Sequence, residues 1–568
     1  MRASIAVAVA TLAACRPGSP HPWDGPRLEQ PRTALTVAQL RDGVLPDLLD
    51  TSFLARPAWA IGDGETLAVS LALQATRVEA DYPQTRAPYA GEDLFPTVTV
   101  DLVVTGGRLL PAHHDRIVTS SDSFWDVLVG PGAAWREADD GEWSRASLPI
   151  DLVDRYFNQV RNCVATFVYR GLETSDVYVQ CTQETADLAD EQVGDLRAMV
   201  PADLVPADLV PAELSGVAQA HDAREARRIP TVPLAAWDGD GELAELFDTP
   251  ATTRTPTSVG AVYADGTLYV HAPQTRHGPH PYPEAMHHGV YSVSKSMLGT
   301  VAMLHLAERY GEDVFSARIA DHVPALASEP AWRDVTLADA LDMATGTNGG
   351  EDTDRLFAPL VLAETADQAL ANIAALGDAP EAAGTAFRYA TTNTFVLSAA
   401  MQGYVAAREG EGVRAWDLVR EAVLEPIGAG DLDVLWTRDP DPADRLPLLG
   451  FGARPTLDEA AKIARLLADD GVHEGRQLLH AAKTREALGR TGGPGLRVDG
   501  RTRYHHGLWR RSMRTGGCRV DVVYMQGHGG NHVLFLPSGV IVVQLTDELG
   551  EDIAPLVKRA ERIRSSCG

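Results

Sequence analysis

Residues 291–300 read YSVSKSMLGT, and the lysine among them calls for a reason. The chain has 568 residues, 50 of them basic, yet only Lys295, Lys462, Lys483 and Lys558 are lysines. Arginine keeps its proton in a protein, whereas a buried lysine can release it and act as a base. Lys295 follows Ser292 by three residues, about one helical turn, so both side chains can face the same side of a helix. Ser294 and Ser296 flank the lysine without that spacing. A serine hydroxyl is a poor nucleophile until a neighbouring base takes its proton, and a lysine of lowered pKa can do so. Met297, Leu298, Val301, Leu304 and Ala307 recur at helical spacing behind the pair, and Gly311 stands where a C-terminal cap belongs. The stretch predicts a helix with Ser292 at its start, where free amides and the positive dipole end suit a developing oxyanion.

On either side of this helix the pattern changes period. SVGAVYADGTLYVHA (258–272) predicts a hairpin around Asp265-Gly266. Helical segments and Gly/Pro-rich loops follow, and 518–547 returns to three apolar runs joined by turns. A strand pair, a helical middle and a strand triplet predict an antiparallel sheet with helices packed around it.

Two later segments carry chemistry in order. GTAFRYATTNTFVLSAAM (384–401) supplies Tyr389, Thr391 and Asn393, and GHGGNHVLFLPSGVIVV (527–543) supplies His528, Gly529, Gly530 and Asn531. With YSVSKSM they resemble the three motifs of the serine β-lactamase and penicillin-binding-protein superfamily, most closely its class C, esterase and 6-aminohexanoate-dimer hydrolase-like branch. TLDEAAKIARLLADDGVHEGRQLL (456–479) is similar to that family's late helix and turn. The resemblance covers about residues 231–568 and implies an α+β domain of β-lactamase/transpeptidase type, with a helical subdomain. It implies Ser292 as acylated nucleophile and Lys295 as its base. Tyr389 would be the proton relay, and His528 would position Tyr389 or the substrate. The amides of Ser292 and Asn531 would form the oxyanion hole, with Gly530, Gly529, Thr391 and Asn393 completing the oxyanion and substrate-binding set, and with no cofactor and no metal. Thr391 stands where the family has Asn, and His528 where dedicated enzymes have Lys. Both departures point away from a dedicated β-lactamase, toward an ester, amide or small peptide as substrate. The alternative is a catalytically weak surface protein that binds cell-wall fragments or peptides on the same fold.

The rest of the chain frames this domain. MRASIAVAVATLAAC has one basic residue, then a short apolar run of signal-peptide type, and LAAC resembles a lipobox with Cys15 as the lipidated residue. This predicts a protein of the bacterial cell envelope, held to a membrane only through its lipid. An ordinary secretory signal is the alternative. Residues 16–40 read as a polar, Pro-rich tether, 41–185 as a β-rich domain of unassigned role, and 186–230 as a linker built around PADLVPADLVPAEL.

Four cysteines remain in an exported chain, which suggests two disulfides with three possible pairings. Cys163 with Cys181 is favoured, because two strand-like runs flank a Gly-containing turn, and Cys518 with Cys567 follows. Buried free thiols are the alternative. A net charge of −28 repels phosphate backbones, which argues against nucleic-acid partners. His113 and His114 are adjacent and on a strand would face opposite ways. His277, His280, His287 and His288 lie in a proline-interrupted stretch, expected as a polar loop at the site mouth rather than a metal centre. The oligomeric state is not legible.

Overall fold

The computed structural model describes residues 28, 31–81, 89–120, 122–184, 195–208, 211–247, 259–377, 381–546 and 552–567. The signal segment and Cys15 lie outside these residues.

The first part of the chain builds one large antiparallel sheet. Its main strands are β1 (Leu67–Leu73), β2 (Val98–Thr105), β3 (Arg108–Pro111), β4 (Gly132–Arg136), β5 (Ser144–Asp154), β6 (Val160–Arg170), β7 (Val177–Glu184), β8 (Asp195–Val200) and β9 (Ala202–Pro206). They lie in the order β9–β1–β2–β3–β4–β5–β6–β7–β8, with Glu79–Asp81 paired beyond β8. The long pair β5–β6 is covered on both faces. Ala146, Leu148, Ile150 and Leu152 enter the main apolar core. Arg145, Ser147 and Asp151 alternate with them and are also buried.

Two expectations about the flanking segments are corrected. The tether expected over 16–40 does not reach residue 40. Thr36 and Gln39 form a capping box on α1 (Val37–Arg41), Leu35 and Leu40 are buried, and Arg145 donates to the Leu35 carbonyl at 2.7 Å. The linker expected over 186–230 instead contributes β8, β9 and the helix α2 (Pro211–Glu225). Its prolines stand at element boundaries. Pro201 separates β8 from β9, Pro206 ends β9 at the sheet edge, and Pro211 opens α2. At edge and N1 positions the missing N–H breaks no ladder or helix bond.

The second sheet consists of β10 (Thr231–Pro233), β11 (Val259–Ala264), β12 (Thr267–His271), β13 (Leu496–Arg497), β14 (Thr502–His505), β15 (Leu508–Thr515), β16 (Cys518–Gly527), β17 (Asn531–Phe535) and β18 (Ile541–Leu545). The order is β10–β12–β11–β18–β17–β16–β15–β14–β13, antiparallel apart from β10 with β12. Asp265 and Gly266, both at positive φ, turn β11 into β12. The helices that position the site are α3 (Val301–Tyr310), α4 (Thr391–Glu409) and α5 (Leu457–Ala468), and α6 (Ala554–Ile563) closes the other face. Along β16, Val520, Val522 and Tyr524 pack with α6, while Val523 and Met525 belong to the core that holds α3, α4 and α5.

This is the α+β arrangement that the sequence predicts. Cys163 is bonded to Cys181 and Cys518 to Cys567, the favoured pairing. The main apolar core runs without a break from the first sheet into the second domain. No helix among the described residues is long and apolar enough to cross a membrane.

Candidate active site

The chain enters the site through a strained residue. Tyr291 has φ +45°, an uncommon conformation for a bulky side chain. Ser292 follows, and a tight turn carries the chain to Lys295, whose amide donates to the Ser292 carbonyl at 3.1 Å. The next turn, Lys295–Thr300, is π-wound before α3 begins. Met297, Leu298, Val301, Leu304 and Ala307 are all buried, and Gly311 closes α3 at φ +93°. Apolar packing therefore anchors the helix that carries Lys295.

Lys295 is buried, and its ammonium donates at three points. These are Ser292 Oγ at 2.9 Å, Thr391 Oγ1 at 2.8 Å and the Gly450 carbonyl at 2.9 Å. Burial lowers its pKa from 10.5 to about 8, with Glu351 pulling the other way. The amine therefore exchanges its proton near neutral pH while held against the serine.

Thr391 is the first residue of α4. Its hydroxyl donates to Glu351 Oε2 at 2.9 Å, and its amide donates to the other carboxylate oxygen. Glu351 thus caps the helix and fixes the hydroxyl with a lone pair toward Lys295. Sequence reasoning missed Glu351 and Gly450. A carbonyl has no residue signature, and Glu351 lies 40 residues from the threonine it holds.

Tyr389 faces the same cavity. Lys295 Nζ lies 4.8 Å from its ring centroid, and the ring stacks on Trp509 at 5.7 Å. His528 meets the Tyr291 ring edge-on at 5.2 Å. Gly527 presses against the nucleophile's segment. A Cβ there would stand 2.1 Å from the Val290 carbonyl and 3.2 Å from the Ser292 nitrogen. Only glycine permits that approach between β16 and the serine turn.

Ser292, Glu351, Tyr389, Thr391, Gly527 and His528 share a cavity of about 420 Å³. Phe157, Leu356, Phe357, Val361, Phe451 and Trp509 give it a mainly apolar wall.

Four expected site residues are not among those that line the cavity. Asn393 is buried in the first turn of α4, where its Oδ1 accepts from Thr345 at 3.2 Å, and it does not line the cavity. Asn531 is also buried. Its side chain donates to the His528 carbonyl at 2.7 Å and accepts from the Thr546 amide at 3.1 Å, bracing the turn from below. Gly529 and Gly530, at φ +79° and +81°, shape that turn, but the cavity wall is made by Gln526, Gly527 and His528.

The histidine stretch is corrected too. It is a seam with the first sheet, not a loop at the mouth. His277 Nε2 lies 2.9 Å from Asp195 Oδ2 and His287 Nδ1 2.8 Å from Asp151 Oδ2. His280 and His288 are buried, which pushes each pKa down to about 3. Elsewhere among the described residues, Asp342, His505 and His506 bring ligand atoms within 4.8 Å of one another. The two imidazoles stack with centroids 3.9 Å apart, Asp342 near both Nδ1 atoms and Glu486 3.2 Å from His505 Nε2. Stacked rings send their in-plane lone pairs side by side, not to one point, so the cluster reads as an ion-paired clamp.

A family model described as Beta-lactamase matches residues 243–555. Among solved structures the chain is similar to a family VIII carboxylesterase, at 18% identity and TM-score 0.44, over 59% of this chain and 98% of that one. It is also similar to a penicillin-binding protein homolog from Caulobacter crescentus, at 17% identity and TM-score 0.42, over 57% and 96%. A class C beta-lactamase aligns at 14% identity and TM-score 0.41, over 58% and 96%. No curated protein matches the sequence.

Proposed function

The chain belongs to the β-lactamase family, and from that premise we propose that it is a metal-independent serine hydrolase acting through an acyl-enzyme on an ester, amide or small peptide. The observation that carries this reading is the buried Lys295 ammonium, 2.9 Å from Ser292 Oγ, with its pKa lowered to about 8 by burial. A binding protein has no use for a base held in that way.

In the proposed reaction, neutral Lys295 takes the Ser292 proton as Oγ attacks the carbonyl carbon of the substrate. The carbonyl electrons move onto oxygen, which accepts hydrogen bonds from backbone amides at the Ser292 turn and the neighbouring edge of β16. Collapse of this intermediate expels the alcohol or amine, which leaves with the proton from Lys295, Tyr389 serving as the nearby relay. Water then attacks the acyl group by the reverse sequence and frees Ser292. Thr391 takes part by holding Lys295, not by binding a substrate amide. The departure from Asn at this position is therefore compatible with turnover. His528 in place of lysine and the apolar wall favour a neutral, apolar acyl group over the carboxylate of a β-lactam.

Export and lipidation at Cys15, and hence a place in the cell envelope, belong to the same proposal and rest on residues 1–15.

The test is intact mass after exposure to a fluorophosphonate. One adduct is expected on the wild type, none on Ser292→Ala, and a strongly slowed one on Lys295→Arg. A folded wild-type protein that takes no adduct would favour the binding-protein alternative.

A further inference from the structure

The first sheet reaches the active site through a hairpin tip. Between β5 and β6, Asp154 Oδ1 accepts from the amides of Tyr156 and Phe157 and so sets the turn. The next two side chains then enter the second domain. Phe157 packs against Phe357, with ring centroids 6.0 Å apart, and forms part of the cavity wall. Asn158 is fully buried. Its Oδ1 accepts from the Tyr291 amide at 2.7 Å, and its Nδ2 donates to the Ala453 carbonyl at 3.1 Å.

Tyr291 is the residue at φ +45° directly before Ser292, so Asn158 holds the strained peptide that aims the nucleophile. Ala453, on the other side of Asn158, donates its amide to Ser294 Oγ at 2.9 Å. The nucleophile turn is thus gripped from two directions through one asparagine. Neighbouring bonds fasten the same seam. Asn162 exchanges two hydrogen bonds with the His287 backbone, and buried Arg454 pairs with Asp433 at 2.9 Å while donating to the Asp154 carbonyl.

We propose that the N-terminal β-domain is a working part of the active site, with Asn158 the positioning residue for Ser292 and Phe157 the wall that sets the size of the apolar acyl group. The proposal rests on the serine hydrolase reading and assigns its substrate class as esters of apolar acids limited in length by Phe157.

The experiment uses the full chain and p-nitrophenyl esters from acetyl to dodecanoyl, with active sites counted by fluorophosphonate titration. Phe157→Ala enlarges the cavity and moves the optimum of kcat/KM to an acyl chain at least two carbons longer. Phe157→Trp moves it to a shorter one. Asn158→Ala lowers the maximal acylation rate per titrated site at least tenfold, with saturation concentration unchanged. Asn158→Asp, which keeps an oxygen opposite the Tyr291 amide, recovers part of that loss.

An unchanged chain-length optimum in both Phe157 variants overturns the specificity role. A normal maximal rate per site in Asn158→Ala, with only the melting temperature lowered, overturns the positioning role. Both results leave a labelled, active wild type and the hydrolase reading intact. A folded wild type without any Ser292 adduct removes the hydrolase reading, and this proposal with it.

Discussion

Glu351 grips Thr391 at two points, its carboxylate accepting from both the amide and the hydroxyl at the first turn of α4. The same hydroxyl oxygen accepts from Lys295 at 2.8 Å. The Lys295 ammonium therefore donates to the nucleophile on one side and to an acid-anchored threonine on the other.

The pH dependence follows from that chain of contacts. Acylation needs neutral Lys295, whose pKa is lowered to about 8, so the rate should rise through about pH 8 and level off above it. Glu351 raises this pKa. Glu351→Gln should therefore move the limb to lower pH. Initial rates of fluorophosphonate labelling across the pH range give both numbers, and a shift to higher pH in the variant would contradict this account.

Stability should carry the same signature. Below pH 8 the cation is buried in the folded state and its cost is present in full. Between about 8 and 10.5 the unfolded chain keeps a proton that the folded one has released, so stability rises with pH. The gain is of order 3 kcal/mol. Denaturant unfolding should show it as wild-type stability rising relative to Lys295→Met across this window. A constant difference would mean the lysine titrates normally.

Gly527→Ala should damage the site without touching a reacting group. The new Cβ would stand 2.1 Å from the Val290 carbonyl, which forces β16 away from the serine turn. Overpacking of this kind costs roughly 1–3 kcal/mol. Slower labelling together with a lower melting temperature is expected, and wild-type labelling would show that the strand has room to shift.

Loss of the Cys518–Cys567 disulfide should destabilise the chain by about 3–4 kcal/mol, because the bond closes a long loop of separation 49. Chemical denaturation of Cys518→Ser reads this directly. Thiol counting on the denatured, unreduced wild type should find neither cysteine free.

Sequence alone determined what is local. The three-residue spacing of Ser292 and Lys295 needs only one tight turn to bring them together, and the stripe from Met297 to Ala307 needs only the helical period. The Asp265-Gly266 hairpin and the disulfide across two neighbouring strands are legible for the same reason. The tertiary structure decided everything that joins distant chain segments. Gly450 meets Lys295 through a carbonyl 155 residues away, and Asn158 reaches Tyr291 across 133. No period in a sequence encodes such distances. The prolines of 201–211 looked like a linker because their meaning depends on whether a strand is an edge or a centre, and only pairing settles that. Local bonds follow from neighbours along the chain, whereas the grip on the nucleophile comes from the packing of one sheet against another.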